Sequence, residues 1–115
     1  MTDVIQVITT TETKEDAARI ARDLLEKRLA ACVQIIGPIT SSYWWREAIE
    51  QSEEWLCLIK SRADLFSQVE AAISAIHPYD VPEILAVPVM AGSAAYLEWL
   101  GGELAPSSRR QGQER

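Results

Sequence analysis

Two hydrophobic rhythms alternate along the chain, and their order predicts its architecture. Val4-Ile5-Gln6-Val7-Ile8 is short, β-branched and mostly apolar, as an interior strand is. Polar Thr9 to Glu12 then reads as a turn. Thr13 followed by Asp16 opens a helix, because a hydroxyl caps the first turn and an acid there suits the helix dipole. Ala17, Ile20, Ala21, Leu24, Leu25 and Leu29 recur at helical spacing as one apolar stripe, with Arg19, Arg22, Asp23 and Glu26 off it. An extended stretch runs from Ala31 to Trp45, with a bulge or bend expected at Gly37-Pro38. Arg46 to Ser52 is polar and holds the hairpin connection, and Glu54 to Lys60 is the returning strand.

Ser61 to Ile76 predicts a second helix, with Leu65, Phe66, Val69, Ala72, Ile73 and Ile76 on one face. Pro78 ends it at Ile76 or His77, since the residue before proline is steered out of the helical region. Ile84 to Met90 is the last strand. Pro88 has no N–H to donate, which puts that strand at an edge or breaks it. Ala94 to Leu100 forms a short C-terminal helix stopped by Gly101-Gly102. Residues 105–115 are polar and unpatterned, and are expected to be disordered. The order is β-α-β-β-α-β plus a short helix, and two helical stripes must cover one face of an antiparallel sheet. The fold class is therefore α+β. It is a ferredoxin-like βαββαβ sandwich with a long hairpin between strands two and three, built as a single domain over residues 1–104.

Charge narrows the function. Seventeen acidic side chains oppose eleven basic ones, a formal net charge of −6. Such a surface repels phosphates and argues against a nucleic-acid partner. No apolar run approaches the ~20 residues needed to cross a bilayer. Met1-Thr2-Asp3 does not open a secretion signal, so a soluble, cytoplasmic protein is expected. Cys32 and Cys57 lie apart inside apolar runs and are expected to be buried, reduced thiols.

The candidate chemistry is concentrated in His77-Pro78-Tyr79-Asp80-Val81-Pro82-Glu83, which contains the sole histidine. His77, Asp80 and Glu83 offer one nitrogen and two oxygens to a divalent cation, and a histidine is largely deprotonated near neutral pH. The alternative is a structural loop, with Glu83 accepting hydrogen bonds and His77 closing the second helix. Lys60 ends a strand beside this loop and can balance Glu83 or an anionic ligand. Gly92-Ser93-Ala94 lacks the frame of a nucleophile elbow, and neither a phosphate-cradling loop nor a second histidine for zinc is present. The chain therefore reads as non-enzymatic.

Tyr43-Trp44-Trp45 is the second unusual stretch. Neighbours in a strand point to opposite faces, so Tyr43 and Trp45 share one face and Trp44 takes the other. Two helices cover only one face, which leaves bulky aromatics in water on a single chain and marks an interaction surface. Trp55 and Trp99 add to this, because tryptophan favours interfaces. An oligomer is expected, with Tyr43, Trp44, Trp45 and Trp55 at its interface.

In order, Leu29-Ala30-Ala31-Cys32-Val33, Ser42-Tyr43-Trp44-Trp45, Glu53-Glu54 to Ile59-Lys60, His77-Pro78-Tyr79 with Pro82-Glu83-Ile84, and Tyr96 to Leu100 closely resemble the CutA divalent-cation tolerance proteins across residues 3–101. The resemblance implies a ferredoxin-like subunit, a tight homotrimer built through extended strands, and a role in tolerance of divalent metals such as copper. Copper or another divalent cation is then the implied cofactor. It also implies likeness to the PII signalling proteins, which hold small ligands in clefts between subunits. On that alternative, Lys60, Tyr79, Glu83 and Trp99 surround an intersubunit cleft. Some members carry a cysteine just after the first strand, where this chain has about Thr9. Some carry a histidine pair before the Pro-Tyr, where this chain has Ile76 and His77.

Overall fold

The computed structural model describes residues 2–106. Strand β1 (Val4–Thr11) leads into helix α1 (Lys14–Glu26). The hairpin strands β2 (Cys32–Trp45) and β3 (Ala48–Arg62) follow. A short 3-10 turn (Ala63–Leu65) opens helix α2 (Phe66–Ile76), and strand β4 (Leu85–Pro88) and helix α3 (Ala94–Glu103) complete the chain. The strands form one antiparallel sheet ordered β2-β3-β1-β4, the ferredoxin-like order that the sequence predicts.

The core lies between this sheet and α1 and α2. Val7 pairs with Ile59 and Thr9 with Cys57, so these side chains share the helix-facing side. They meet Ile20 and Leu24 of α1 and Val69 and Ile73 of α2, all fully buried. Removing each large aliphatic side chain from water contributes roughly 1.5–3 kcal/mol. The Thr13 hydroxyl accepts from the Asp16 amide at 3.1 Å and caps α1 as expected. Leu25 departs from the expected stripe and is exposed. Consecutive helical residues point about 100° apart, so Leu24 takes the core position and Leu25 cannot.

Several element boundaries differ from the sequence reading. First, β1 continues through Thr11 where a turn is expected. Thr9 and Thr11 are buried, Thr11 pairs with Trp55, and the Thr11 hydroxyl donates to the Thr13 carbonyl at 2.7 Å. Second, the hairpin turn is only Arg46-Glu47, at φ 51° and 68°, with Trp45 paired to Ala48. Two positive-φ residues match the twist of paired strands. At its other end β3 extends to Arg62. Ser61 is held extended by pairing with Ile5 and by donating its hydroxyl to the Leu29 carbonyl at 2.6 Å. Third, α3 passes through Gly101 and Gly102. The Arg28 guanidinium donates to the Glu103 carbonyl at 3.1 Å and to its carboxylate at 2.7 Å, which offsets the weak helix propensity of glycine.

The expected break at Gly37-Pro38 is present as a register shift between Ile36 and Ile39, with a cis peptide. The Trp55 ring lies against Gly37, where a Cβ would come within 2.5 Å of it. Strand β4 is shorter than expected and sits at the sheet edge, as Pro88 requires. The Ala105 amide donates to the Arg28 carbonyl at 2.8 Å, and Arg62 donates to the Ala105 carbonyl at 2.7 Å. Of the disorder expected over residues 105–115, the part from residue 107 onward lies outside the described residues, while Ala105 is held by these two bonds.

Candidate functional site

Strand alternation gives the sheet a second face, away from α1 and α2. The ladder places Ile8, Leu58 and Leu85 across from one another there, with Leu56 opposite Ile36 and Val87 opposite Gln6. Ile8, Leu56 and Leu58 are partly buried, while Ile36, Leu85 and Val87 are exposed. At one end the α3 side chain Tyr96 reaches Cys32. Burial, and then the neighbouring thiol, raise the Tyr96 phenol above its ordinary range.

At the other end, between the hairpin and the 77–83 loop, lies an open groove of about 760 Å³. The strands line it with Thr10, Ser41, Tyr43, Trp45, Glu50 and Glu54, and the loop adds Tyr79, Asp80, Val81, Pro82 and Glu83. A hydrogen-bond chain fixes the loop to the sheet. The His77 amide donates to the Ile73 carbonyl at 2.8 Å and closes α2. Imidazole Nε2 lies 2.8 Å from the Thr10 carbonyl oxygen. Nδ1 accepts from the Tyr79 amide at 3.1 Å. A carbonyl only accepts, so Nε2 is the donor of the first bond and Nδ1 the acceptor of the second. Tyr79 lies beside this ring at 4.8 Å between centroids, and its hydroxyl donates to Glu54 Oε2 at 2.8 Å. Burial first, then this bond to the carboxylate, push the Tyr79 phenol well above its ordinary range.

The expected His77-Asp80-Glu83 metal centre is not assembled. A histidine ligand must offer a free nitrogen lone pair, and both ring nitrogens of His77 are engaged in holding the loop. His77 is only 9% exposed, whereas Asp80 and Glu83 are exposed on the groove. Among the described residues, no three His, Cys, Asp or Glu side chains are grouped to hold a metal ion. The cysteines do not substitute. Cys57 is buried as expected and its thiol is pushed up to about 11 by burial, Cys32 is only partly buried, and neither lines the groove.

The expected ligand cleft is only partly present in a single chain. Tyr79 and Glu83 line the groove. Lys60 instead donates to Gln6 at 2.5 Å and to Gln34 at 3.1 Å on the uncovered face. Trp99 lies on α3 against Tyr96, 5.6 Å between centroids. Of the hairpin aromatics, Tyr43 and Trp45 line the groove. Trp44, 72% exposed and paired with the exposed Ile49, contributes to the groove lining as well. Trp55 is placed within the chain, against Gly37 and with Lys14 5.6 Å from its ring centroid. Sequence reading missed Glu50 and Glu54. Their alternation along β3 is visible, but their position opposite a loop 25 residues or more downstream is set by tertiary packing.

Comparison with known proteins agrees with this architecture. The CutA1 divalent ion tolerance protein family matches residues 5–103. The Thermus thermophilus divalent-cation tolerance protein CutA is 42% identical over 94 residues, covering 82% of this chain and 91% of that protein. Protein CutA 1, chloroplastic, of Oryza sativa is 41% identical over 96 residues, covering 84% of this chain and 54% of that protein. The crystal structure of CutA1 from Oryza sativa superposes with a TM-score of 0.88 at 38% identity, covering 90% of this chain and 95% of that one.

Proposed function

This chain belongs to the family of CutA1 divalent ion tolerance proteins, and on that basis we propose that it acts as a non-enzymatic homotrimer in the tolerance of divalent metal ions, copper among them. The uncovered sheet face carries this reading. Ile8, Ile36, Leu56, Leu58, Leu85 and Val87 share that face, and Ile36, Leu85 and Val87 are exposed on it. The hairpin projects beyond it with Trp44 and Ile49 exposed, and the chain is correspondingly elongated, 52 × 28 × 25 Å. Apolar surface left in water costs roughly 25 cal/mol per Å², and packing against further copies removes that cost. Closure at three copies is what the family resemblance implies. Sedimentation at micromolar concentration tests it: a species near three times the 12.8 kDa chain mass is expected, and a stable monomer rules the assembly out.

Within this assembly, cation association is weak and carried by carboxylate oxygens of Asp80 and Glu83, which are hard ligands. His77 is a strut. Calorimetric copper titration of His77→Gln is expected to match the parent chain, while the variant unfolds at lower urea. Loss of copper binding in the folded variant would instead make the imidazole a ligand. A second reading, a PII-like signalling role with a small organic ligand in the cleft, is favoured by the groove itself, which Tyr79 and Glu83 line with aromatic neighbours.

A further inference from the structure

We propose that α3 is a lid, a helix that lifts as one unit from the end of the sheet while the rest of the chain stays folded. The carrying observation is the pair Gly101 and Gly102 inside it. Glycine weakens a helix interior because it gives up the most backbone freedom on ordering. A helix requires it where a side chain would clash or where φ is positive. Neither applies here: a Cβ on Gly101 or Gly102 meets nothing within 4 Å, and neither residue has a positive φ. Alanine fits both positions, so packing does not account for the weakness. The other helix signals are weak as well. The helix has ten residues, its N-cap Ser93 makes no side-chain bond, and neither end turn carries a charge that complements the dipole. A helix this short does not stand alone in water.

Folding of α3 is therefore tied to its docking, and the docking is concentrated near its C-terminus. Leu100 and Leu104 are buried in the core cluster, and Leu97 packs against it. A clasp closes that end. Arg28 donates to the carbonyl and carboxylate of Glu103, the Ala105 amide donates to the Arg28 carbonyl, and Arg62 donates to the Ala105 carbonyl. The Arg28 and Glu103 side chains are 61% and 43% exposed, where an ion pair is weak. Between helix and sheet lies a cavity of about 320 Å³, lined from the strands by Val4 and Arg62 and from α3 by Leu97, Leu100, Gly101 and Gly102. Atoms that line a void forgo contacts on that side, so α3 adheres less than a fully packed helix. The connection Met90-Ala91-Gly92 is neither helix nor strand and supplies the hinge. Lifting α3 unroofs this cavity, bares Val4 and takes Tyr96 off Cys32.

Hydrogen–deuterium exchange of the full chain in its native assembly, read peptide by peptide by mass spectrometry, tests the lid. Amides of α3 are expected to exchange through an opening that leaves β1, β3 and α1 protected, with protection factors about a hundredfold below theirs. Gly101→Ala and Gly102→Ala are each expected to raise α3 protection about fourfold, and together about tenfold or more, with β1 and β3 unchanged. Arg28→Met removes the guanidinium bonds and keeps a long side chain. It is expected to lower α3 protection about threefold and leave β1 as it was. Protection of α3 equal to that of β1 overturns the proposal, whether its own chain or a second copy holds the helix down. An unchanged α3 in the double alanine variant also overturns it, because the glycines then do not set the opening. Loss of protection in every element of Arg28→Met does so too, because the clasp then belongs to the cooperative core.

Discussion

Replacing Tyr79 with Phe removes the hydroxyl that donates to Glu54 and keeps the ring that lies beside His77. The buried carboxylate then loses a donor that water replaces poorly. Urea unfolding of Tyr79→Phe is expected to show a loss of about 1–3 kcal/mol. No change would mean that water serves Glu54 equally well. The same residues make the protein sensitive to alkali. Folding raises the Cys57 thiol from 9.0 to about 11 by burial, and raises the Tyr79 phenol from 10.0 by burial and Glu54. Each group holds its proton more tightly when folded. Their contribution is therefore intact below pH 9.0, where the unfolded chain is protonated too. It falls as pH rises from 9.0 towards 11 for Cys57, and from 10.0 upward for Tyr79. Urea midpoints measured from pH 7 to pH 11 are expected to decline above 9, and Cys57→Ala is expected to flatten the first part of that decline.

Among the elements, the β2–β3 hairpin shows what was legible and what was not. Its existence follows from two extended apolar stretches, and its break follows from Gly37-Pro38. The tightness of its turn did not follow. The turn residues Arg46 and Glu47 adopt positive φ without being glycine or asparagine, so the usual signal for a two-residue turn is missing. Thr9 to Thr11 misled in the opposite sense. Polar residues suggested a turn, yet threonine is β-branched and pairing with β3 holds it in the strand. Gly37 is required by packing as well as by the bend. Gly37→Ala places a methyl into the Trp55 ring, 2.5 Å from its nearest atom, and thermal unfolding is expected to report a loss of about 1–3 kcal/mol. An unchanged midpoint would show that the ring moves aside freely.

For the whole molecule, the decisive contrast is between the two faces of one sheet. The helix-facing side is closed by α1 and α2, and the opposite side carries Ile8, Leu56 and Leu58 with Ile36, Leu85 and Val87 exposed. Leu58→Glu on that second side puts a carboxylate where the proposed copies meet, so sedimentation is expected to shift towards the monomer while circular dichroism stays native. A trimer that survives the change would place the contact elsewhere. The same wide view explains the fate of the candidate site. His77, Asp80 and Glu83 are close in sequence, but the loop turns the imidazole inward to hold Thr10 and Tyr79 and leaves the carboxylates on the groove. Proximity along the chain could not reveal that division of labour.

Local patterning by itself determined the strand and helix order, the Thr13 cap, the end of α2 before Pro78 and the aromatic hairpin. These depend on side-chain spacing and backbone sterics, which act over a few residues. Tertiary structure alone decided that Glu54 meets Tyr79, that Lys60 turns to two glutamines, that Trp55 covers Gly37 and that His77 has no free nitrogen. Each of those depends on which distant segments share one small volume, and hydrogen-bond partners there are set by whichever group arrives with the right geometry.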